Sequence, residues 1–418
     1  MSTIEAHTKT KQMVPELRFP EFDGEWTKKK VKDLAKFLDS KRVPLSQSDR
    51  VNRQGEYPYY GASGIIDYVN DYLFDGEYVL LGEDGANILT RSTRLAFIAS
   101  GKFWVNNHAH VLEANGSNYF LSESLERIRY EKYNTGTAQP KLNADVCKNI
   151  ILEVPSLPEQ QKIASFLSAV DEKIQQLSRK KELLEHYKKG VMQQIFSQQT
   201  AEEGSRTQLK NKSVGAQIRF KDENGNSYPD WEEKTLLEVA KFRRGSFPQP
   251  YGLPEWYDDE NGAPFVQVYD VDDNMKLKPK TKSKISKLAE DKSVFVKKGS
   301  LVLTIQGSIG RIAKTQYDAF VDRTLLIFQD YKVDIDIDFF KYVIYLLFEI
   351  EKIKAPGGTI KTITKEELSE FPVGLPCLEE QKKIAKLFTE LDEKLFSMNK
   401  SLDDTQEFKK GLLQKMFV

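Results

Sequence analysis

Asn106-Asn107-His108-Ala109-His110 sets two amides and two imidazoles within five positions. Such a run suits metal ligation or hydrogen bonding to the edges of nucleic-acid bases. Zinc would need further soft ligands, and the chain offers besides only His7, His186, Cys147 and Cys377, none of them grouped. No metal site is expected. Base-edge recognition stays open with Asn107 as its candidate, beside a plainer reading of the run as a polar turn with one buried histidine.

Cationic residues cluster in a chain whose charges otherwise cancel: 62 Lys and Arg stand against 62 Asp and Glu. The whole-molecule field therefore argues for no polyanionic partner, and any nucleic-acid surface must come from local clusters. In one cluster Lys41, Arg42, Arg50 and Arg53 lead into YPYYGASG, Tyr57–Gly64, with Tyr60 among its aromatics. In another, Arg243-Arg244-Gly245 opens a loop with Gln249 and Tyr251. A third, NMKLKPKTKSKISK, puts lysines at 276, 278, 280, 282 and 284. Lysine at every second position lines one face of an extended ribbon, and Lys280, Lys282 and Lys284 could follow a phosphate backbone. An edge strand guarded against aggregation by lysines gives the same pattern, and the arginines fit solvated loops equally well.

Catalytic signatures are missing. Lys298-Gly299-Ser300 has the wrong order for a P-loop, and Gly307-Ser308-Ile309-Gly310 is followed by Arg311 rather than a phosphate-binding lysine. Asp171-Glu172-Lys173 and Asp392-Glu393-Lys394 mimic the acid-x-lysine of a metal-dependent nuclease. No partner acid lies upstream, and both read as solvated helix faces. No Gly-rich methyl-donor loop follows a strand, and neither D-P-P-Y nor N-P-P-F occurs.

The elements that must position these residues are set by a duplication. VPSLPEQQKIASFLSAVDEKI, from Val154, returns as LPCLEEQKKIAKLFTELDEKL, from Leu375, 221 residues later. At the same offset Lys188-Lys189-Gly190 and Phe196 return as Lys409-Lys410-Gly411 and Phe417. A weaker echo opens each half, Leu17-Arg18-Phe19 with Trp26 against Ile218-Arg219-Phe220 with Trp231, and Gly136-Thr137 matches Gly358-Thr359. A period above 200 residues is domain duplication, not a solenoid.

Each strong copy carries a heptad seam. Ile163, Leu167, Val170, Ile174, Leu177, Lys181, Leu184, Lys188, Val191 and Ile195 alternate spacings of four and three. Ile384, Phe388, Leu391, Leu395, Met398, Leu402, Thr405, Lys409, Leu412 and Met416 repeat the pattern. Ser156 and Glu159 have capping-box spacing at the first start. Helices of about 38 residues, roughly 57 Å, are expected, pairing as an intramolecular antiparallel coiled coil. The polar stretch after Phe196 reads as a linker.

The expected fold is thus an α/β (α+β) tandem duplication. A tail at 1–15 precedes a globular block at 16–152, a helix at 153–198 and a linker at 199–215; a second block follows at 216–373 and a second helix at 374–418. Strands are expected at Tyr78–Leu81, Leu95–Ile98, Phe103–Val105, Phe265–Val268, Leu301–Ile305 and Leu325–Phe328. Two cysteines at non-equivalent positions, no apolar run near 18 residues and a polar N-terminus fit a reduced, cytoplasmic setting without a membrane span.

Two divergent blocks, each followed by P-x-L-x-E-Q-x-K-I-A and a heptad helix ending K-K-G-x-x-Q-x-x-F, resemble the specificity subunit of type I restriction-modification enzymes. The motif residues are Pro155, Leu157, Glu159, Gln160, Ile163 and Ala164, then Pro376, Leu378, Glu380, Gln381, Ile384 and Ala385. The resemblance implies that each block is a target recognition domain binding one half of an asymmetric, bipartite site on double-stranded DNA. It implies paired helices that set the spacer and dock two methyltransferase subunits, with ATP-driven restriction subunits joining them. Such a chain would be non-catalytic and bind no cofactor, S-adenosylmethionine, ATP and Mg residing on its partners. Glu159-Gln160 and Glu380-Gln381 are polar repeats between divergent surfaces, which makes them candidate docking residues; structural capping competes as their role. A coiled-coil scaffold without DNA recognition, or a stand-alone DNA-modifying enzyme, are the alternative functions.

Overall fold

The computed structural model describes residues 13–196, 218–354 and 363–418. The expected linker, most of the expected tail and Gly358-Thr359 lie outside these residues. The chain divides into two compact units, residues 1–178 with 400–418, and residues 179–399.

In the first unit Thr27–Lys30 pairs antiparallel with Ile151–Val154, Thr27 opposite Val154. This ladder joins the start of the block to the strand that feeds the first long helix. A six-stranded sheet holds Ala35–Phe37, Ala109–Ala114, Phe74–Gly82, Ala96–Val105, Gln54–Gly61 and Gly64–Val69, in that order. Leu95–Ile98 and Phe103–Val105, expected as separate strands, are largely the two ends of Ala96–Val105. Between them Gly101 takes φ +80° opposite Gly76 at φ +134°, conformations open to glycine that let the paired strands bend without breaking. The helix Asn118–Glu126 buries Phe120, Leu121 and Leu125. They join a core of Trp26, Val79, Leu81 and Leu112 that also takes in Ile163, Leu167, Leu412, Met416 and Phe417.

The second unit repeats the ladder in the equivalent register, Glu232–Thr235 against Pro372–Leu375 with Glu232 opposite Leu375. Its block differs. One four-stranded sheet runs Ala240–Arg244, Leu325–Tyr331, Leu301–Thr304, Ile312–Lys314, and another Ser283–Ile285, Ala263–Val266, Ala319–Val321, Val294–Val296. The helix Ile337–Lys354, which the sequence reading did not single out, buries Phe339, Phe340, Tyr342 and Val343. They share a core with Met192, Ile195, Phe196, Ile384 and Phe388.

The long helices are Leu157–Ile195 and Leu378–Met416, 39 residues each. Every residue of both heptad seams is buried or half-buried. In the second unit the Lys188 ammonium meets Asp392 at 2.5 Å and the Phe196 and Phe388 rings lie 6.0 Å apart. One helix advances while its neighbour retreats, so the packing is antiparallel. In the first unit the repeat-equivalent Lys409 meets Asp171 at 2.7 Å. Asp171 and Asp392 are therefore not solvated helix faces. Each holds a lysine and also accepts from a tyrosine hydroxyl, Tyr119 at 2.5 Å and Tyr342 at 2.6 Å.

Candidate nucleic-acid interface

The repeated Glu-Gln pairs face inward. Glu159 is 1% exposed; it accepts from Arg18 at 2.8 and 2.7 Å and from the Trp26 indole at 3.3 Å. Glu380 is fully buried and receives Arg219 and the Trp231 indole in the same way. The two weak echoes at the start of each half are thus the partners of the two strong ones. Gln160 donates to the Pro155 carbonyl at 3.1 Å, and Gln381 to that of Pro376 at 2.9 Å while accepting from the Asp336 N–H at 2.8 Å. As docking residues Glu159, Glu380 and Gln381 are corrected, because their polar atoms are enclosed by their own unit; half-buried Gln160 likewise turns its amide to its own backbone. The capping box read at Ser156 is corrected too, since the Glu159 carboxylate goes to Arg18 and Trp26.

In the first block the cationic cluster separates into structural and outward residues. Arg42 is enclosed: it meets Glu83 at 2.8 Å and Asp39 at 3.5 Å and donates to the Ala109 carbonyl at 2.7 Å. Arg50 pairs with Asp67 at 2.9 Å, donates to the Leu45 carbonyl and lies over the Tyr59 ring. Tyr60 packs edge-on to Phe103, half-buried. All three are half-buried and make these contacts within their own block. Lys41, Arg53 and Asn107 are exposed. Arg53 sits over the Trp104 ring at 5.8 Å, while Asn106 N–H donates to the Tyr60 carbonyl and Asn106 Oδ1 accepts from the His108 N–H. Arg53 and the turn bearing Asn107 therefore occupy one end of strand Ala96–Val105.

The two histidines of the opening motif divide. His108 is exposed and 2.7 Å from Asp84. His110 is buried, with Nδ1 2.7 Å from Asp39 and Nε2 2.8 Å from the Leu142 carbonyl. Burial pulls its pKa down, but hydrogen bonding to Asp39 and the influence of Cys147 outweigh that and raise it to about 10. Both nitrogens face acceptors, as an imidazolium requires.

In the second block Arg243 and Arg244 close strand Ala240–Arg244, the expected loop with Gln249 and Tyr251 opens at Gly245, and both arginines are exposed, as is Gln249. Gly245 follows because a Cβ would lie 2.2 Å from the Val321 carbonyl oxygen. The lysine run is not a ribbon: only Ser283–Ile285 is strand. Lys280 and Lys282 are exposed, Lys282 over the Tyr269 ring at 4.7 Å, whereas Lys284 donates to the Glu260 carbonyl at 2.9 Å. Lys284 is half-buried. The sequence reading missed Tyr269 and Arg323; Arg323 lies over the Tyr251 ring at 5.5 Å. A single arginine between strands carries no pattern, so only the fold could bring it to Tyr251.

The type I restriction modification DNA specificity domain matches this chain twice, over residues 23–186 and 228–405. A putative type I restriction enzyme specificity subunit from Haemophilus influenzae is 27% identical over 384 residues, 90% of each chain. A type I restriction enzyme specificity subunit from Methanocaldococcus jannaschii is 24% identical over 425 residues, 95% of this chain and 92% of that one. The crystal structure of the S subunit of a type I restriction-modification system from M. genitalium shares the fold, with a TM-score of 0.65 at 18% identity over 97% of this chain and 99% of that one. The two matched segments fall on the two halves of the duplication, and the chain belongs to the type I restriction-modification DNA specificity family.

Proposed function

We propose that this chain is the DNA-reading subunit of a type I restriction-modification complex and itself catalyses nothing. Residues 16–152 read one half of an asymmetric bipartite site and residues 216–373 the other. The long helices set the spacer and carry two methyltransferase subunits; restriction subunits join the complex, and S-adenosylmethionine, ATP and Mg belong to those partners. The observation that supports this reading is one frame built twice, with the same Arg-Trp-Glu bracket and the same strand register, around two blocks that share little else. Equal frames suit two equal partners. Unequal blocks suit two unequal half-sites.

Proposed contacts are the exposed Lys41, Arg53 and Asn107 in the first block and Arg243, Arg244, Gln249, Lys280 and Lys282 in the second. The test is methylome sequencing of a host with and without the gene, followed by exchange of residues 216–373 for a relative's block. The expected result is a bipartite methylated site of which the exchange alters one half. No gene-dependent methylation, or alteration of both halves, defeats the reading.

A further inference from the structure

One cluster in the second unit is more closely organised than a solvated surface requires. Gln267 follows strand Ala263–Val266, and its N–H donates to Asp270 at 2.8 Å, pinning the backbone. Its amide lies between two tyrosines: Nε2 donates to the Tyr251 hydroxyl, and Oε1 accepts from the Tyr269 hydroxyl. Nε2 keeps a second hydrogen and Oε1 a second lone pair, the two groups a carboxamide uses to grip adenine at N7 and N6. The tyrosines hold the long side chain in place before any ligand arrives, which lowers the entropy lost on binding.

The surroundings suit a polyanion. Tyr251 and Tyr269 are 42% and 38% exposed, and each ring carries an exposed cation, Arg323 and Lys282 respectively. Asp322, next to Arg323 in the chain, is buried, with Oδ1 accepting from Thr324. Its Oδ2 is enclosed without a hydrogen-bond partner among the described residues. Burial first raises the hydroxyl pKa values of Tyr251, Tyr257 and Tyr269; the Asp322 charge adds to it for Tyr251 and Tyr257, and for Tyr269 the Asp270 charge adds more than that of Asp322. A buried acceptor left unpaired is costly.

We propose that Gln267, braced by Tyr251 and Tyr269, reads an adenine in the half-site bound by the second block, with Arg323 and Lys282 holding the flanking phosphates. This rests on the recognition role proposed above for residues 216–373. The test uses the full chain assembled with its own methyltransferase subunits, both in methylome mapping and in binding to duplexes varied one base pair at a time. Gln267→Ala should relax one adenine position of one half-site, cutting discrimination there by roughly 10- to 100-fold, with all other positions unchanged. Gln267→Glu replaces the amide donor by an acceptor, so preference at that position should move toward cytosine, whose amino group donates. Arg323→Ala should keep the site and reduce the slope of log affinity against log salt by about 0.9.

Unaltered discrimination in both Gln267 variants overturns the proposal. Should Gln267→Ala fail to assemble, Tyr269→Phe, which removes only a hydroxyl, and Arg323→Ala decide: a weakened adenine position with a reduced salt slope supports the proposal, and wild-type behaviour in both overturns it. A wild-type complex that methylates no bipartite site refutes the specificity-subunit reading itself, whereas a bipartite site indifferent to Gln267 refutes this inference alone.

Discussion

At the scale of single residues, the polar groups repeated between halves are internal fasteners. Glu159→Leu takes the carboxylate from the Arg18 guanidinium, which keeps only the Asp23 and Gly24 carbonyls, and the acceptor from the Trp26 indole, in a setting where Arg18 is only 13% exposed. Breaking such a pair should cost about 3 kcal/mol, measurable by urea denaturation, while native mass spectrometry of the assembled complex should still count two methyltransferase subunits. His110 gives a pH test. Its folded pKa, about 10, lies above the ordinary histidine value near 6.5. Its contribution is therefore complete below about pH 6.5 and is lost as pH rises toward 10. Stability of His110→Gln should fall less steeply across that interval than the parent's; equal slopes would show that His110 does not titrate there. The opening motif was visible in the sequence, but the division of its histidines was not. Strand Ala109–Ala114 carries His110 into the core, whereas His108 stays on the turn, and local composition does not record where a strand begins.

At the scale of elements, the heptads were legible because a helix declares its own buried face through its spacing. What sits across from that face is not declared. Two of the three seam lysines, Lys188 and Lys409, interrupt the apolar stripes at equivalent places, and Asp171 and Asp392 looked solvated; the fold joins them into two equivalent ion pairs. Lys409→Met should destabilise the first unit by about 1–3 kcal/mol, because Asp171 would keep only its tyrosine partner in a half-buried place. Adding Asp171→Leu should recover part of that loss, since a matched apolar pair replaces an ion pair at little cost. A double-mutant cycle in urea measures the coupling, and strictly additive losses would show that the pair contributes nothing. The helix Ile337–Lys354 escaped the sequence reading for the opposite reason. Its near-continuous apolar run, Phe339 to Phe348, has too few polar positions to mark a period, as happens when a helix is buried on most sides.

At the scale of the whole chain, the last residues of the sequence complete a core begun by the first. Leu412, Met416 and Phe417 pack in the core of Trp26 and Phe120; the Phe417 ring stacks on Phe120 at 5.2 Å and meets Trp26 edge-on at 6.1 Å. The Leu17 N–H donates to the Lys415 carbonyl at 2.8 Å, and Arg127 donates to the Leu413 carbonyl at 2.6 Å. The repeat of Phe196 as Phe417 was readable, and its reason is this packing: Phe196 meets Trp231 and Phe339 in the second unit as Phe417 meets Trp26 and Phe120 in the first. Removing residues 400–418 should therefore damage a block nearly 300 positions away in sequence. Each large apolar side chain lost from such a core costs about 2–5 kcal/mol, and three lost together approach the whole stability of a typical domain. The truncated chain should lose protease resistance between residues 13 and 178 while residues 218–354 keep theirs. A separate peptide of residues 400–418, added at high concentration, should restore resistance by mass action, and the same peptide carrying Phe417→Ala should restore it poorly. Equal protection of both segments in the truncated chain would show that the first core closes without the end of the second helix.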